Sequence, residues 1–349
     1  MTELIHNTAE KLRRQQHLTR HEARDVMREL LSGTVPDADI ITFLVALRDK
    51  GEQTAELVGF AEVMRARAAE LLRDADVRPD ALASTGPLLD TCGTGGDGLG
   101  TFNISTATAL VACAAGVRVA KHGNRSISSR CGSADVLEAL GVRIDLPLKR
   151  IPQGLETVGM VFLFAPHLHL AMKHVMSARR SLKTKTVFNL LGPLTNPLGA
   201  SAQLVGVYDR ARTEMMAQAF AEVGTLRALV VAGADGIDEI STVGPTQVSE
   251  SGDGTVTTRE ITPEDFGIER APAGALGGGD PATNARLLRQ VLDGQPGPYR
   301  DAVLANASAA LVVAEKASGL LEGVALAAEA IDSGRARRKL AALVEFTNR

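Results

Sequence analysis

Apolar residues recur at helical spacing through the first 75 residues, where Leu57, Val58, Ala61, Met64 and Ala68 mark one face of a helix that Thr54 can cap. Thr19 followed by Glu22 is a capping box for an earlier helix through Leu31, with Gly33 just past its end, and Pro36 opens another that Gly51 closes. Residues 74–87 hold Pro79, Pro87 and several small residues and read as a boundary. Beyond it the pattern changes to short apolar runs followed by helical stretches. Strands are predicted at 88–92, 117–120, 160–164, 204–208 and 228–232, with a polar, hairpin-like stretch at 242–258. Helices are predicted near 106–115, 134–140, 170–182 and 213–223, and the alanine- and leucine-rich last third reads as helical. This alternation predicts an α/β fold in two units. A small helical unit covers residues 1–84, joined by helices within 166–200, and a large α/β unit with a mainly parallel central sheet covers 85–349.

Composition narrows the chemistry. Phe 9, Tyr 2 and Trp 0 leave few rings on which bases could stack, and 38 basic against 41 acidic residues give a net charge of -3, so no nucleic-acid partner is expected. The longest apolar run, around residues 107–117, is too short for a membrane span, which takes roughly 18 residues, and the N-terminus lacks the apolar core of a signal peptide. Cys92, Cys113 and Cys131 form no CxxC and leave an odd count, which fits a reduced, cytoplasmic protein. The 34 glycines are in excess and clustered, and such clusters in a folded chain signal close backbone approach to something.

The most informative cluster is Gly93-Thr94-Gly95-Gly96-Asp97-Gly98, which follows the first predicted strand. Gly93, Gly95 and Gly98 match the spacing of a dinucleotide fingerprint, but that reading fails on context. The fingerprint needs a helix opening within the glycines and an acidic residue about 20 positions on, whereas here the helix starts later and the next strand ends in Lys121. A phosphate site fits better: glycine N–H groups and the head of a helix at Asn103-Ile104-Ser105-Thr106 turn toward one anion. Asp97 would repel that anion unless a divalent cation, or positive charge developing on the ligand, stands between them. A reacting phosphorylated substrate is therefore expected.

The second strand runs into the polar loop Lys121-His122-Gly123-Asn124-Arg125-Ser126-Ile127-Ser128-Ser129, followed by Ser133, which is also a candidate helix cap. Lys121 can act as a point charge on phosphate, while for Arg125 and Arg130 ligand contact and a solvated surface both stay open. After the fifth strand come Asp238 and Glu239, hard oxygen donors suited to Mg²⁺; neighbouring residues in extended chain face opposite ways, which would suit two ions. His167, His169 and His174 are spaced by two and five and do not share one helical face, which argues against a metal site.

Six ordered segments now carry a specific likeness: residues 93–97, 103–106, 121–129, 132–135, the run Phe188-Asn189-Leu190-Leu191-Gly192-Pro193-Leu194-Thr195-Asn196-Pro197, and Asp238-Glu239. Together they resemble the anthranilate phosphoribosyltransferases, over nearly the whole chain. The resemblance implies a nucleoside-phosphorylase- and phosphoribosyltransferase-like fold. It implies transfer of the phosphoribosyl group of 5-phosphoribosyl-1-pyrophosphate to the amino group of anthranilate, with release of pyrophosphate, in tryptophan synthesis, and a homodimer formed through the helical unit. Carried over by position, it assigns Gly93, Gly96, Asp97, Thr101, Asn103, Ile104, Ser105, Thr106, Ser133 and residues 121–129 to the donor. It assigns Gly93, Asn124 and Arg179 to anthranilate, Ser105, Asp238 and Glu239 to Mg²⁺, and catalytic weight to Asp97 and Lys121. Leu170, Ser177, Ala178 and Lys183 depart from the residues common in the family, around the acceptor side. Phosphorylases that cleave pyrimidine nucleosides share the general architecture but lack the paired GTGGD and KHGNR segments.

Overall fold

The computed structural model describes residues 3–83, 86–126 and 129–349. Ile127 and Ser128, both expected at the donor, lie outside the described residues. Four helices open the chain: α1 (Glu3–Arg13), α2 (Arg20–Leu30), α3 (Asp37–Lys50) and α4 (Thr54–Asp74). Thr19 and Glu22 form the expected capping box on α2, and Pro36 and Gly51 bracket α3. Gln53, not Thr54, is the N-cap of α4, in a capping box with Glu56.

Seven strands form one sheet: β1 (Leu88–Gly93), β2 (Arg118–Gly123), β3 (Met160–Phe164), β4 (Ala202–Gly206), β5 (Arg227–Gly233), β6 (Thr246–Gly252) and β7 (Thr255–Ile261). Their order is β3-β2-β1-β4-β5-β6-β7, with β1 to β5 parallel and β6 and β7 added antiparallel. The β6–β7 hairpin turns at Asp253-Gly254, both at positive φ, the backbone a two-residue hairpin turn prefers. The helix Ile104–Ala114 is buried along almost its whole length, packed against the sheet and wrapped by the C-terminal helices Pro298–Val313, Leu320–Asp332 and Arg335–Asn348. The opposite face of the sheet shares a core with the four N-terminal helices. That core includes Val175 and Ala178, Phe188 and Leu191, and Met216 and Phe220. Arg65 of α4 ties the layers by donating to the carbonyls of Leu194 and Val223 at 2.6 and 2.9 Å.

Several boundaries differ from the sequence expectation. β2 runs through Lys121 and His122, whose backbone pairs with Phe162 and Leu163 of β3, so these polar residues are strand, not loop. The stretch 170–182 is not one helix: Ala165–Leu168 and a short 3₁₀ turn at Leu170–Met172 precede Lys173–Leu182. Gly132, not Ser133, is the N-cap of Ser133–Ala139, and the Asp135 carboxylate accepts its N–H at 2.8 Å. Lys183 ends the helix Lys173–Leu182 in the left-handed region (φ 49°), a conformation that glycine adopts without steric cost. Among the described residues no helix is long and apolar enough to cross a membrane.

Candidate active site

In an open parallel sheet the chain reverses strand order at one point, and a crevice opens there beyond the carboxyl ends of the strands. Here that point lies between β1 and β4. The ends of those two strands are Gly93 and Gly206, and both press against Asp238 from the loop after β5. A Cβ on Gly93 would stand 2.5 Å from Asp238 Oδ2, and one on Gly206 would stand 1.4 Å from the Asp238 carbonyl oxygen. Glycine at both places lets the acidic loop sit directly on the sheet edge.

From that seat the two carboxylates diverge. Asp238 Oδ2 accepts the Gly95 N–H at 2.8 Å, and Glu239 Oε1 accepts the Ser105 N–H at 3.1 Å, at the head of the buried helix Ile104–Ala114, where the helix dipole favours an anion. Burial raises the pKa of both, with Asp97 adding to Asp238 and Asp238 adding to Glu239. Among the described residues the buried Asp97 Oδ2 has no hydrogen-bond partner. Three acidic groups thus crowd one crevice. Among the described residues no three His, Cys, Asp or Glu side chains converge as a preformed metal cage.

Lys121 lies beneath this crevice. It is 1% exposed, and its ammonium donates to the Thr91 carbonyl and, at 3.3 Å, to Ser105 Oγ. Burial lowers its pKa, while Asp90 and Glu239 help to hold the charge in place. Asp90, which the sequence reading missed, is fully buried. Its carboxylate accepts the His122 N–H at 3.1 Å and the Asn196 side-chain N–H at 2.8 Å, and burial pushes its pKa up to about 6. The β1–β2 ladder pairs Leu88 with Arg118 and Leu89 with Val119, and beyond it the Asp90 carboxylate braces the two strand ends.

Other expected donor residues divide into two groups. Ile104 and Thr106 turn into the core, so only Ser105 of the three presents a half-buried side chain. Asn103 bonds to the Cys131 carbonyl and the Asn284 side chain, and the Thr101 backbone bridges to Gly277. In the second loop Ser133 Oγ donates to the Asn124 carbonyl at 3.3 Å, Ser126 and Ser129 bond to each other, and Arg125 is held by Asp135 and Glu138. Arg179 stands apart on Lys173–Leu182, stacked 4.9 Å from the Phe188 ring centre. Burial pushes its pKa down to about 10, and among the described residues no carboxylate pairs with it.

The His122 side chain does not face the loop. Its ring packs against His169 at 5.2 Å, each with a buried Nε2 that has no partner among the described residues. Burial pushes His122 down to about 3, aided by His169, and His169 down to about 4. Both rings are therefore neutral in the folded protein and protonate more easily when it unfolds. Their contribution is complete above the ordinary value near 6.5 and is lost as pH falls toward 4 and then 3, by up to about 1.4 kcal/mol per pH unit per ring. Asp90 works the other way, because its raised pKa costs stability only as pH rises toward 6. The melting temperature of the wild type is expected to fall more steeply from pH 6.5 to 4.5 than that of His169→Gln. Parallel curves would show that neutral His169 contributes nothing.

Known proteins resemble this chain over nearly its whole length. Residues 85–337 match the family model for the α/β domain of a glycosyl transferase family, and residues 7–68 match that family's helical bundle domain. Anthranilate phosphoribosyltransferase of Solibacter usitatus is 52% identical over 336 residues, 96% of each chain. That of Symbiobacterium thermophilum is 51% identical, covering 95% of this chain and 94% of its own. The crystal structure of the Thermus thermophilus enzyme superposes with a TM-score of 0.87 at 43% identity, covering 98% of this chain and 99% of the other. The Saccharomyces cerevisiae enzyme in complex with PRPP and Mg superposes with a TM-score of 0.85 at 28% identity, over 99% and 98% of the two chains. Identity near one half over nearly the whole length, with both the helical bundle and the α/β domain matched, makes this chain a member of the anthranilate phosphoribosyltransferase family.

Proposed function

We infer that this protein transfers the phosphoribosyl group of 5-phosphoribosyl-1-pyrophosphate to the amino group of anthranilate, giving N-(5-phosphoribosyl)anthranilate and pyrophosphate. The observation that carries the reading is the seat of Asp238 and Glu239 at the β1–β4 crevice, against a glycine loop and a helix head. The two half-buried carboxylates and Asp97 Oδ2 fit a divalent cation, because their excess negative charge has few compensating groups among the described residues. Mg²⁺ takes one or two protein carboxylates and shares the rest of its shell with water and substrate phosphate. Asp238, Glu239 and Ser105 would hold it, and the divergence of the two carboxylates suits two ions. Bound there, it would supply charge stabilisation for the departing pyrophosphate.

This chain's own groups then have distinct tasks. The N–H groups of the glycine loop and the Ser105 hydroxyl orient the donor's phosphates. Lys121 acts through Ser105: its ammonium polarises that hydroxyl and keeps positive potential beneath the leaving group. Asp97, with an acceptor oxygen free, stabilises positive charge that builds on the ribose as the bond to pyrophosphate lengthens. The amino nitrogen of anthranilate carries a free lone pair at neutral pH, so no strong base is required. Arg179, desolvated and without an acidic partner, suits a carboxylate that arrives with the substrate, and Gly93 and Asn124 complete the acceptor side. The same reading includes a homodimer through the helical unit and a cytoplasmic location.

The test is loss of anthranilate fluorescence on adding the donor with Mg²⁺. If the donor binds in calorimetry but fluorescence persists, the acceptor is a different amine. Arg179→Ala is expected to raise the KM for anthranilate about tenfold to a hundredfold, the loss typical of a charge-assisted contact, with little change in the KM for the donor. Equal effects on both would remove Arg179 from the acceptor side.

A further inference from the structure

Lys185 lies outside every segment that carries the family likeness, on the short link between Lys173–Leu182 and Val187–Leu194. Yet it sits over the glycine loop. A Cβ on Gly96 would stand 2.7 Å from Lys185 Cε, so the lysine stem covers the bare glycine, which itself adopts φ +85°. The ammonium stands 3.1 Å from the centre of the Tyr208 ring. Asp97 and Asp238, and more weakly Asp209, attract its charge, and Arg212 opposes them. Among the described residues the Lys185 ammonium makes no hydrogen bond or ion pair, and the side chain is only half-buried. Three N–H donors are thus held over the crevice by a ring and a glycine, unclaimed by any oxygen.

We infer that Lys185 is a binding residue for the diphosphate of the phosphoribosyl donor; this rests on the reading of the crevice as the donor site. Without ligand, Lys185 balances part of the charge of Asp97 and Asp238. A diphosphate carried in with Mg²⁺ brings its own counter-charge to those carboxylates, and the ammonium is then free to donate to phosphate oxygens. Tyr208 keeps the charge in place during that exchange, because the face of a phenol ring attracts a cation without offering an oxygen to it. A lysine needed only to cover Gly96 would be served equally by its methylene stem.

That contrast sets the test. Lys185→Met keeps an unbranched stem against Gly96 and Tyr208 and removes the charge, whereas Lys185→Arg keeps the charge. Calorimetry with inorganic pyrophosphate and Mg²⁺ is expected to show binding weakened about tenfold to a hundredfold in Lys185→Met and largely restored in Lys185→Arg, as for loss of one hydrogen bond to a charged group. The KM for the donor rises in parallel, while the KM for anthranilate and the melting temperature stay near the wild-type values. Unchanged pyrophosphate affinity in Lys185→Met, or an equal loss in Lys185→Arg, overturns the role of Lys185 while anthranilate turnover by the wild type still supports the site. A wild type that neither binds pyrophosphate nor consumes anthranilate overturns the site reading and this inference with it.

Discussion

Neutralising Asp238 is expected to cripple phosphoribosyl transfer while making the protein more stable. Asp238→Asn keeps an oxygen able to accept the Gly95 N–H and removes only the charge. The same holds for Glu239→Gln toward the Ser105 N–H. Both carboxylates are half-buried, and repulsion within the group Asp97, Asp238 and Glu239 adds to the cost of desolvating them. Removing one charge relieves that cost, so the melting temperature rises or holds. Activity moves the other way. A metal-binding carboxylate supports several kcal/mol of transition-state stabilisation, so kcat/KM is expected to fall about a hundredfold to a thousandfold. The Mg²⁺ concentration for half-maximal rate rises with it. Glu239→Gln should hold less of the stability gain, because Glu239 also balances Lys121. The measurement is a Mg²⁺ titration of the initial rate beside a melting curve for each variant. A metal dependence identical to the wild type would remove these two residues from the metal.

The elements that bear on this were unequally legible in the sequence. β1, β3 and β5 announce themselves as apolar runs because both faces of a parallel sheet are covered. By its apolar run β2 ends at Ala120, because Lys121 and His122 are polar, although both are buried, one as a counter-charge and one against His169. β4 begins and ends two residues earlier than expected; Val207 and Tyr208 prolong the apolar run, and the Val207 N–H does still bond to Val231. Asp90 is a single acid inside a strand with no motif around it, and its role depends on Asn196, more than a hundred residues away. The glycine loop and the acidic pair were visible as motifs, whereas their meeting at the β1–β4 crevice depends on strand order, which no local pattern encodes. Lys185 shows the same limit: its link between two helices looks like any polar connection, and only the fold brings it over Gly96.

Gly206→Ala is expected to do more damage than either charge removal, although the methyl group it adds is small and apolar. The added Cβ would lie 1.4 Å from the carbonyl oxygen of Asp238 and 2.3 Å from its carbonyl carbon, where ordinary contact begins near 3.4 Å. The obstacle is backbone, so no side-chain rotation relieves it. Gly206 is also fixed from both sides, paired with Gly93 of β1 and Val231 of β5. The acidic loop must therefore move by about 2 Å, carrying Asp238 away from Gly95 and Glu239 away from Ser105. Both carboxylates leave their seats at once, so the rate should fall below that of either single charge variant. Here the melting temperature falls too, by the equivalent of about 2–4 kcal/mol, since overpacking and broken buried hydrogen bonds add. Gly93→Ala is the internal control. Its Cβ meets the end of the Asp238 side chain at 2.5 Å, which can swing aside, so it should cost activity with less loss of stability. A glycine inside an apolar strand is a recognised sign of close backbone approach, and Val205-Gly206-Val207 carries that sign in the sequence itself. Wild-type activity and melting in Gly206→Ala would mean that the acidic loop does not rest on β4.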